Sequence, residues 1–405
     1  MMANFKFHPL TGAVSMFVEY TDDQKALRIR LRNYFSTLIK PEYKEELRSA
    51  EGGDLYKSLI RQMGKDNMLA LGWPKEYGGA GLTPTEQLIF FEEALLACAP
   101  VPFVTLNTVG PAVMDHGTEE QKKRFLPLIA AGEIHFCIGY TEPSAGTDLA
   151  SLQTAAVKQG DEYIVNGNKV YTSAAEAADY VFLAARTDPD AKKHKGISVL
   201  LVDTKDPGFD YGPIRTVGGV RTNISYYTDV RVPTDMIIGE ENKGWPLITS
   251  QLNHERVGLA AWGIQGWKVY KLTLDWARKE KTADGQRIID NPSVQRNLAE
   301  VYAMLEAMRV MNARMSWKLD HSDIDAVLPS ALKVYSTEAM ITICQKLMDI
   351  VGPHALIRST SPSAVLLGDL EHEYRRSTIN TFGGGVVEVL RGLVANFGLG
   401  MPRHR

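Results

Sequence analysis

The spacing of apolar residues changes twice along this 405-residue chain, and those changes restrict the fold more than any other feature. Residues 21–135 read as helices. Thr21-Asp22-Asp23-Gln24, Thr83-Pro84-Thr85-Glu86 and Thr118-Glu119-Glu120-Gln121 are capping boxes, the second with proline at the first helical position. The helix after the third runs into Gly132, a residue suited to terminate it. Over 136–235, β-branched and aromatic residues alternate with polar ones: Tyr163 and Val165, Val170 and Thr172, Ile197, Val199 and Leu201. Asn166-Gly167 between two such runs predicts a hairpin turn. From about Trp245 the helical period returns, and Val301, Leu305, Met308 and Met315 mark the buried face of a long helix, opposite Glu300, Glu306 and Arg314. The order is helical, β, helical, without strands and helices taking turns, which argues against a doubly wound sheet. The expectation is an α+β, mostly α fold with a helical domain over 1–135, a β-domain over 136–235 and a helical domain over 236–405.

Composition removes several function classes. A net charge of −3 with both signs interspersed leaves no nucleic-acid footprint. Cys98, Cys137 and Cys344 are far apart and odd in number, which indicates neither a zinc site nor a disulfide framework and fits a reducing cytoplasm. His116, His135, His354 and His372 lack metal-ligand spacing, so no metal is expected. No apolar run approaches the roughly 20 residues that span a bilayer. The first fifteen residues make a poor leader, and Met16 is read as a second start, which makes 1–15 an extension without catalytic consequence.

Two segments carry the chemistry. Tyr140-Thr141-Glu142-Pro143-Ser144-Ala145-Gly146-Thr147-Asp148 places hydroxyls, a proline turn and a glycine after the alternating run Ile134, Phe136, Ile138. Thr141 and Thr147 can donate hydrogen bonds, and Gly146 admits a flat or anionic ligand close to the backbone. A polar surface turn uses the same residues. The second segment is Asn166-Gly167-Asn168-Lys169-Val170-Tyr171-Thr172-Ser173. Gly78-Gly79-Ala80-Gly81 has neither the spacing nor the preceding strand of a dinucleotide fingerprint and reads as a loop.

Together the two segments resemble the paired flavin-contacting stretches of the acyl-CoA dehydrogenase family. Val230-Arg231-Val232-Pro233 and Gly239-Glu240-Glu241-Asn242-Lys243-Gly244-Trp245 extend the resemblance along almost the whole chain. It implies FAD as cofactor, with Tyr140 and Thr141 at the pyrimidine edge of the isoalloxazine, Thr147 among the cofactor contacts, and Ser173 against flavin N5. Tyr171 stands where a ring-packing tryptophan is usual. The implied reaction is α,β-dehydrogenation of an acyl-CoA thioester: a base removes the α-proton while hydride leaves the β-carbon, and electron-transfer flavoprotein is the expected acceptor.

Many members of the family carry the base in a Glu-Gly-Thr motif near the C-terminus, and here the segment is Phe382-Gly383-Gly384-Gly385. A second group carries it immediately before an arginine, which matches Glu255 and Arg256 in Asn253-His254-Glu255-Arg256. The resemblance therefore implies Glu255 as base and Arg256 in substrate binding. Gly383 would donate its N–H to the thioester oxygen, beside Gly384.

The elements that grip the ADP half of FAD depart from the pattern. The phenylalanine and glycine expected after Arg278 are absent, Asp349 replaces a neutral amide before Gly352, and Gly385-Val386-Val387 replaces Thr-Ser-Glu. A carboxylate facing a pyrophosphate is electrostatically wrong. The expectation is that a related second subunit supplies the grip in an α2β2 assembly, with a homotetramer as the other arrangement. The chain is most similar to one subunit of the heteromeric steroid side-chain acyl-CoA dehydrogenases. Lys192-Lys193-His194-Lys195 is read as a solvated loop or a receiver of CoA phosphates. Two other readings stay open: a non-catalytic partner subunit, and an acyl-CoA oxidase of the same fold.

Overall fold

The computed structural model describes residues 19–49, 52–219, 221–251, 263–321 and 327–402. The helical entry comprises α1 (Asp22–Leu38), α2 (Tyr43–Ser49), α3 (Asp54–Lys65), α4 (Pro84–Leu96), α5 (Gly110–His116) and α6 (Glu119–Ala130). All three capping boxes form, so the first-turn donors of α1, α4 and α6 are satisfied by their own sequence. Beyond α6, Gly132 takes φ 71°, and a Cβ there would lie 2.7 Å from the Ile60 carbonyl oxygen, so only glycine fits that close approach. Leu27, Leu31 and Phe35 recur every four residues on α1 and bury one stripe, with Phe35 packed on Phe90 of α4 at 5.6 Å between centroids.

The middle of the chain forms one sheet from β1 (Phe136–Gly139), β2 (Ala155–Gln159), β3 (Glu162–Val170), β4 (Tyr180–Arg186), β5 (Ile197–Asp203), β6 (Phe209–Arg215), β7 (Arg221–Pro233) and β8 (Ile237–Ile238). The strand order is β6-β7-β3-β2-β4-β5-β8, with β1 parallel to β4. Here the predicted hairpin is corrected. Asn166-Gly167 does not reverse the chain: β3 continues through it, and the register against β7 shifts between Val165 and Gly167 as at a bulge. Asn166 Nδ2 donates to Asp229 Oδ1 and Asp229 N donates to Asn166 Oδ1, both at 2.9 Å, so the side chain replaces the ladder bonds lost there. A positive-φ glycine serves a bulge as well as a turn, and β7 is long enough to pair on both sides of it. The turn that joins β2 to β3 lies at Gly160, with φ 62°.

The helical return comprises a segment over 244–251, then α7 (Ile264–Lys279), α8 (Pro292–Asp320), α9 (Val327–Val351), α10 (Asp369–Ser377) and α11 (Val387–Leu393). Val301, Leu305, Met308 and Met315 are buried on α8 as the periodicity requires. The N-terminal helices share one core with the sheet, where the Phe125 ring meets Phe136 and Tyr180. Val301, Leu305, Ile343 and Leu347 belong to a separate core in the C-terminal bundle. The architecture is α+β and mostly helical, with the sheet as the rigid platform for the middle segments.

Candidate active site

The two chemistry-bearing segments lie side by side because β3 delivers the second against the exit of β1. Val170 N donates to Thr141 O at 2.8 Å. One residue earlier, the fully buried Lys169 extends its Nζ to Tyr140 O at 3.0 Å and to Glu142 Oε1 at 2.8 Å. The backbone N–H groups of Gln153 and Thr154 donate to the two Glu142 oxygens at 2.7 and 2.8 Å. Burial alone would raise the Glu142 carboxyl, but the Lys169 ammonium and these donors hold it below the usual carboxylate range. Burial draws Lys169 down to about 8, against the pull of Glu142, and the pair is ionised at neutral pH.

Beyond β3 the backbone makes a tight excursion. Tyr171 and Ala174 both take left-handed φ, 60° and 62°, which is costly for residues bearing a Cβ. Asn223 of β7 holds this turn: its backbone carbonyl accepts from Thr172 N at 2.9 Å, and its Nδ2 donates to Thr172 O at 3.1 Å and Glu176 Oε2 at 2.7 Å. Arg221 Nε closes the cluster on Glu176 Oε1 at 3.2 Å. The Tyr171 ring is consequently presented outward, 62% exposed. Ser173, also exposed, donates its hydroxyl to Thr222 Oγ1 at 2.9 Å.

The structure distributes the sequence-predicted residues unevenly. Thr141, Tyr171 and Ser173 belong to this juncture and Thr147 is exposed near it, whereas Tyr140 turns inward. Its ring is buried beside Phe182 and its hydroxyl donates to Gln251 Oε1 at 2.8 Å. Gly383 N–H donates to Ile379 O at 3.0 Å and is spent within that helical turn, so the thioester-donor role expected of it does not fit this conformation. Gly384 and Gly385 follow with φ 68° and 107°, and the buried Lys333 of α9 fixes their loop by donating to Gly385 O at 2.5 Å. Glu255 and Arg256 lie outside the described residues. Asp349 is exposed near the end of α9, and Arg278 pairs weakly with Asp275 at 3.8 Å. Lys193 forms an ion pair with Asp148, and Arg186 holds the same loop through the Lys193 and Lys195 carbonyls. Among the described residues no cluster of metal-ligating side chains converges, and no helix is long and apolar enough to cross a membrane.

Sequence reasoning missed Lys169, Glu142, Thr222 and Asn223 as parts of this juncture. Lys169 had a visible signal: it falls at a buried position of β3, where an unpaired lysine is not tolerated. Thr222 and Asn223 carried none, since their importance follows from the register of β7 against β3.

An outward aromatic ring, a linked hydroxyl pair and a rigid backbone behind them form the donor set that a flat heteroaromatic ring takes, so these residues fit a bound flavin. Comparisons with known proteins point the same way. The acyl-CoA dehydrogenase family models match here in order: the N-terminal domain over residues 21–133, the middle domain over 137–230 and the C-terminal domain over 242–399. Acyl-CoA dehydrogenase FadE26 of Mycobacterium tuberculosis is 48% identical, with 96% of this chain and 99% of that protein covered. FadE29 of the same organism is 47% identical over the same shares. Among solved structures, the ChsE4-ChsE5 complex of M. tuberculosis superposes with a TM-score of 0.90 at 48% identity, covering 96% of this chain and 100% of that one. The Tcur3481-Tcur3483 steroid acyl-CoA dehydrogenase gives 0.92 at 47% identity, again over 96% and 100%.

Proposed function

The chain belongs to the acyl-CoA dehydrogenase family of oxidoreductases, and from that premise we propose that it oxidises the Cα–Cβ bond of an acyl-CoA thioester with Glu255 as base. The observation that carries the reading is the juncture of the two segments, where Val170–Thr141 and Lys169–Glu142 contacts bring Thr141, Tyr171 and Ser173 to one place. Bound FAD supplies the two-electron acceptance that no side chain of this protein can provide. Tyr171 would pack on its ring, while Thr141, Thr147 and the Tyr140 backbone would hold its edge. The Ser173 hydroxyl would release Thr222 Oγ1, to which its one proton is donated here, rotate that proton toward N5 and accept from Thr222 in turn, stabilising the charge that develops there.

Glu255 would take the α-proton, beside Arg256 in the substrate site. The thioester oxygen would accept from Gly384 N–H, since Gly383 N–H is committed to Ile379. Gly383 would retain the role its lack of a side chain permits, leaving space where other members of the family carry their base.

The electrostatically unsuited Asp349 and the altered residues around Arg278 and Gly385 support a second, related subunit that grips the ADP half. The two-part names of the ChsE4-ChsE5 and Tcur3481-Tcur3483 structures add support for that arrangement, and the latter for a steroid-linked acyl group. Electron-transfer flavoprotein would reoxidise the enzyme. The helical, β and helical domains would divide near residues 135 and 235.

Co-expression with the neighbouring related gene, followed by the visible spectrum of each purified species, tests this reading. The pair is expected to be yellow, with one FAD for two chains, and to bleach anaerobically with a saturated acyl-CoA. A yellow homotetramer holding one FAD per chain would contradict the shared-site arrangement.

A further inference from the structure

Cys98 follows α4, Lys268 stands on the second turn of α7, and the two side chains meet: Lys268 Nζ approaches Cys98 Sγ at 3.2 Å. The approach is held from two directions. Lys268 Nζ also pairs with Asp369 Oδ2 at 3.0 Å, where a mostly buried carboxylate opens α10. Gln265 lies on the same face of α7, and its Nε2 donates to Leu95 O at 3.2 Å, which fixes α7 against the last turn of α4. A thiol sulfur is a weak acceptor, so the Lys268–Cys98 contact adds little as a hydrogen bond. What it provides is an amine nitrogen beside an oxidisable sulfur. The other two cysteines differ. Cys137 and Cys344 are fully buried, and burial pushes their thiols up, which leaves them inert. Cys98 is partly exposed and lines a cavity of about 170 Å³. That is several times the roughly 30 Å³ a water takes in the liquid, so a peroxide fits.

We propose that Cys98 and Lys268 form a redox-dependent cross-link: a peroxide oxidises the Cys98 sulfur, and the Lys268 amine then closes on it as a sulfenamide. The inference goes beyond the dehydrogenation reading and does not depend on it. In the first step the thiol attacks hydrogen peroxide, an S–O bond forms as the O–O bond breaks, and one water leaves. Sulfur loses two electrons to the peroxide and becomes a sulfenic acid. The Lys268 ammonium passes a proton to Asp369 and becomes nucleophilic. Its nitrogen attacks the sulfur: the N–S bond forms, the S–O bond breaks, and the hydroxyl leaves with one amine proton as a second water. Asp369 keeps the proton it received, so the neutral link leaves no buried charge without a partner. Two external thiols reverse the link. The first takes the sulfur into a mixed disulfide and releases the amine, and the second frees Cys98.

The test uses the full chain as isolated, freed of reductant and treated with hydrogen peroxide. Digestion without reductant, followed by mass spectrometry, should find the Cys98 and Lys268 peptides joined, at the sum of their masses less two hydrogens. Dithiothreitol should separate them. A link between residues 170 positions apart also constrains the unfolded chain, so the thermal midpoint should rise with peroxide and return with dithiothreitol. Lys268→Arg keeps a cation for Asp369 but lacks the nucleophilic amine. In that variant Cys98 should stop at the sulfenic acid and be labelled by dimedone, whereas the wild type should escape the label. The wild-type masses decide even if the variant fails to fold. Cys98 carrying oxygen beside an unmodified Lys268 overturns the proposal, and so does equal dimedone labelling of the two proteins. A link to Lys44, the other lysine of the cavity, or a disulfide to another cysteine overturns it too. If Cys98 resists peroxide altogether, the contact is structural only and the proposal falls.

Discussion

Lys169 and Glu142 form an ion pair at 2.8 Å, with side chains 0% and 5% exposed, and this pair ties the two chemistry-bearing segments together. Removing one member leaves the other charge buried and uncompensated. Lys169→Met is therefore expected to destabilise the fold by about 3–5 kcal/mol. The double variant Lys169→Met/Glu142→Gln should recover part of that loss, because the glutamine carbonyl can still accept from one of the two N–H groups, Gln153 or Thr154, that Glu142 takes on separate oxygens. Denaturant titration of the four proteins in the cycle measures the coupling. Strictly additive losses would show that the two side chains do not act as a unit.

The Asn223 latch should matter to rate more than to cofactor retention. Its bonds to Thr172 and Glu176 hold Tyr171 and Ala174 in left-handed backbone, and thereby hold Ser173 against Thr222. Asn223→Ala is expected to cost about 1–3 kcal/mol of stability and to slow reduction per bound flavin. Ser173→Ala should slow reduction by about two- to tenfold, with a smaller change in FAD affinity. Stopped-flow reduction beside FAD titration separates the effects. If affinity collapses while the rate per bound flavin is unchanged, Ser173 binds the cofactor but does not face N5.

Much of the fold was legible because its signals are local. The capping boxes at Thr21, Thr83 and Thr118 state where helices start, and the spacing of Val301, Leu305, Met308 and Met315 states which face is buried. Asn166-Gly167 misled because one backbone conformation serves both a turn and a bulge, and only the length of β7 decides between them. The candidate site was half legible. Thr141, Tyr171 and Ser173 stand in recognisable segments, but the inward turn of Tyr140 depends on Gln251, more than a hundred residues on. Likewise, the engagement of Gly383 N–H by Ile379 depends on how the chain leaves α10.

Acid should weaken the fold through His135. The ring is buried, its Nε2 has no partner, and burial pulls its pKa down to about 4 from the ordinary 6.5. The folded protein thus keeps it neutral, and the unfolded chain binds a proton that the folded one does not between those values. Stability is present in full above about pH 6.5 and falls as pH drops toward 4, by about 3 kcal/mol in total. His135→Phe should flatten that part of the profile, as read by denaturant titration at a series of pH values. An unchanged slope in the variant would assign the acid sensitivity to other groups, Glu142 first among them.

In the proposed reaction this chain contributes both the flavin edge and the base. Anaerobic single-turnover reduction of the co-purified complex by a saturated acyl-CoA, comparing wild type with Glu255→Gln, tests it most directly. FAD content should be equal in both, and the reduction rate should fall by about 10²–10⁴-fold in the variant. A variant that keeps more than about a tenth of the wild-type rate would place the base elsewhere and contradict the assignment.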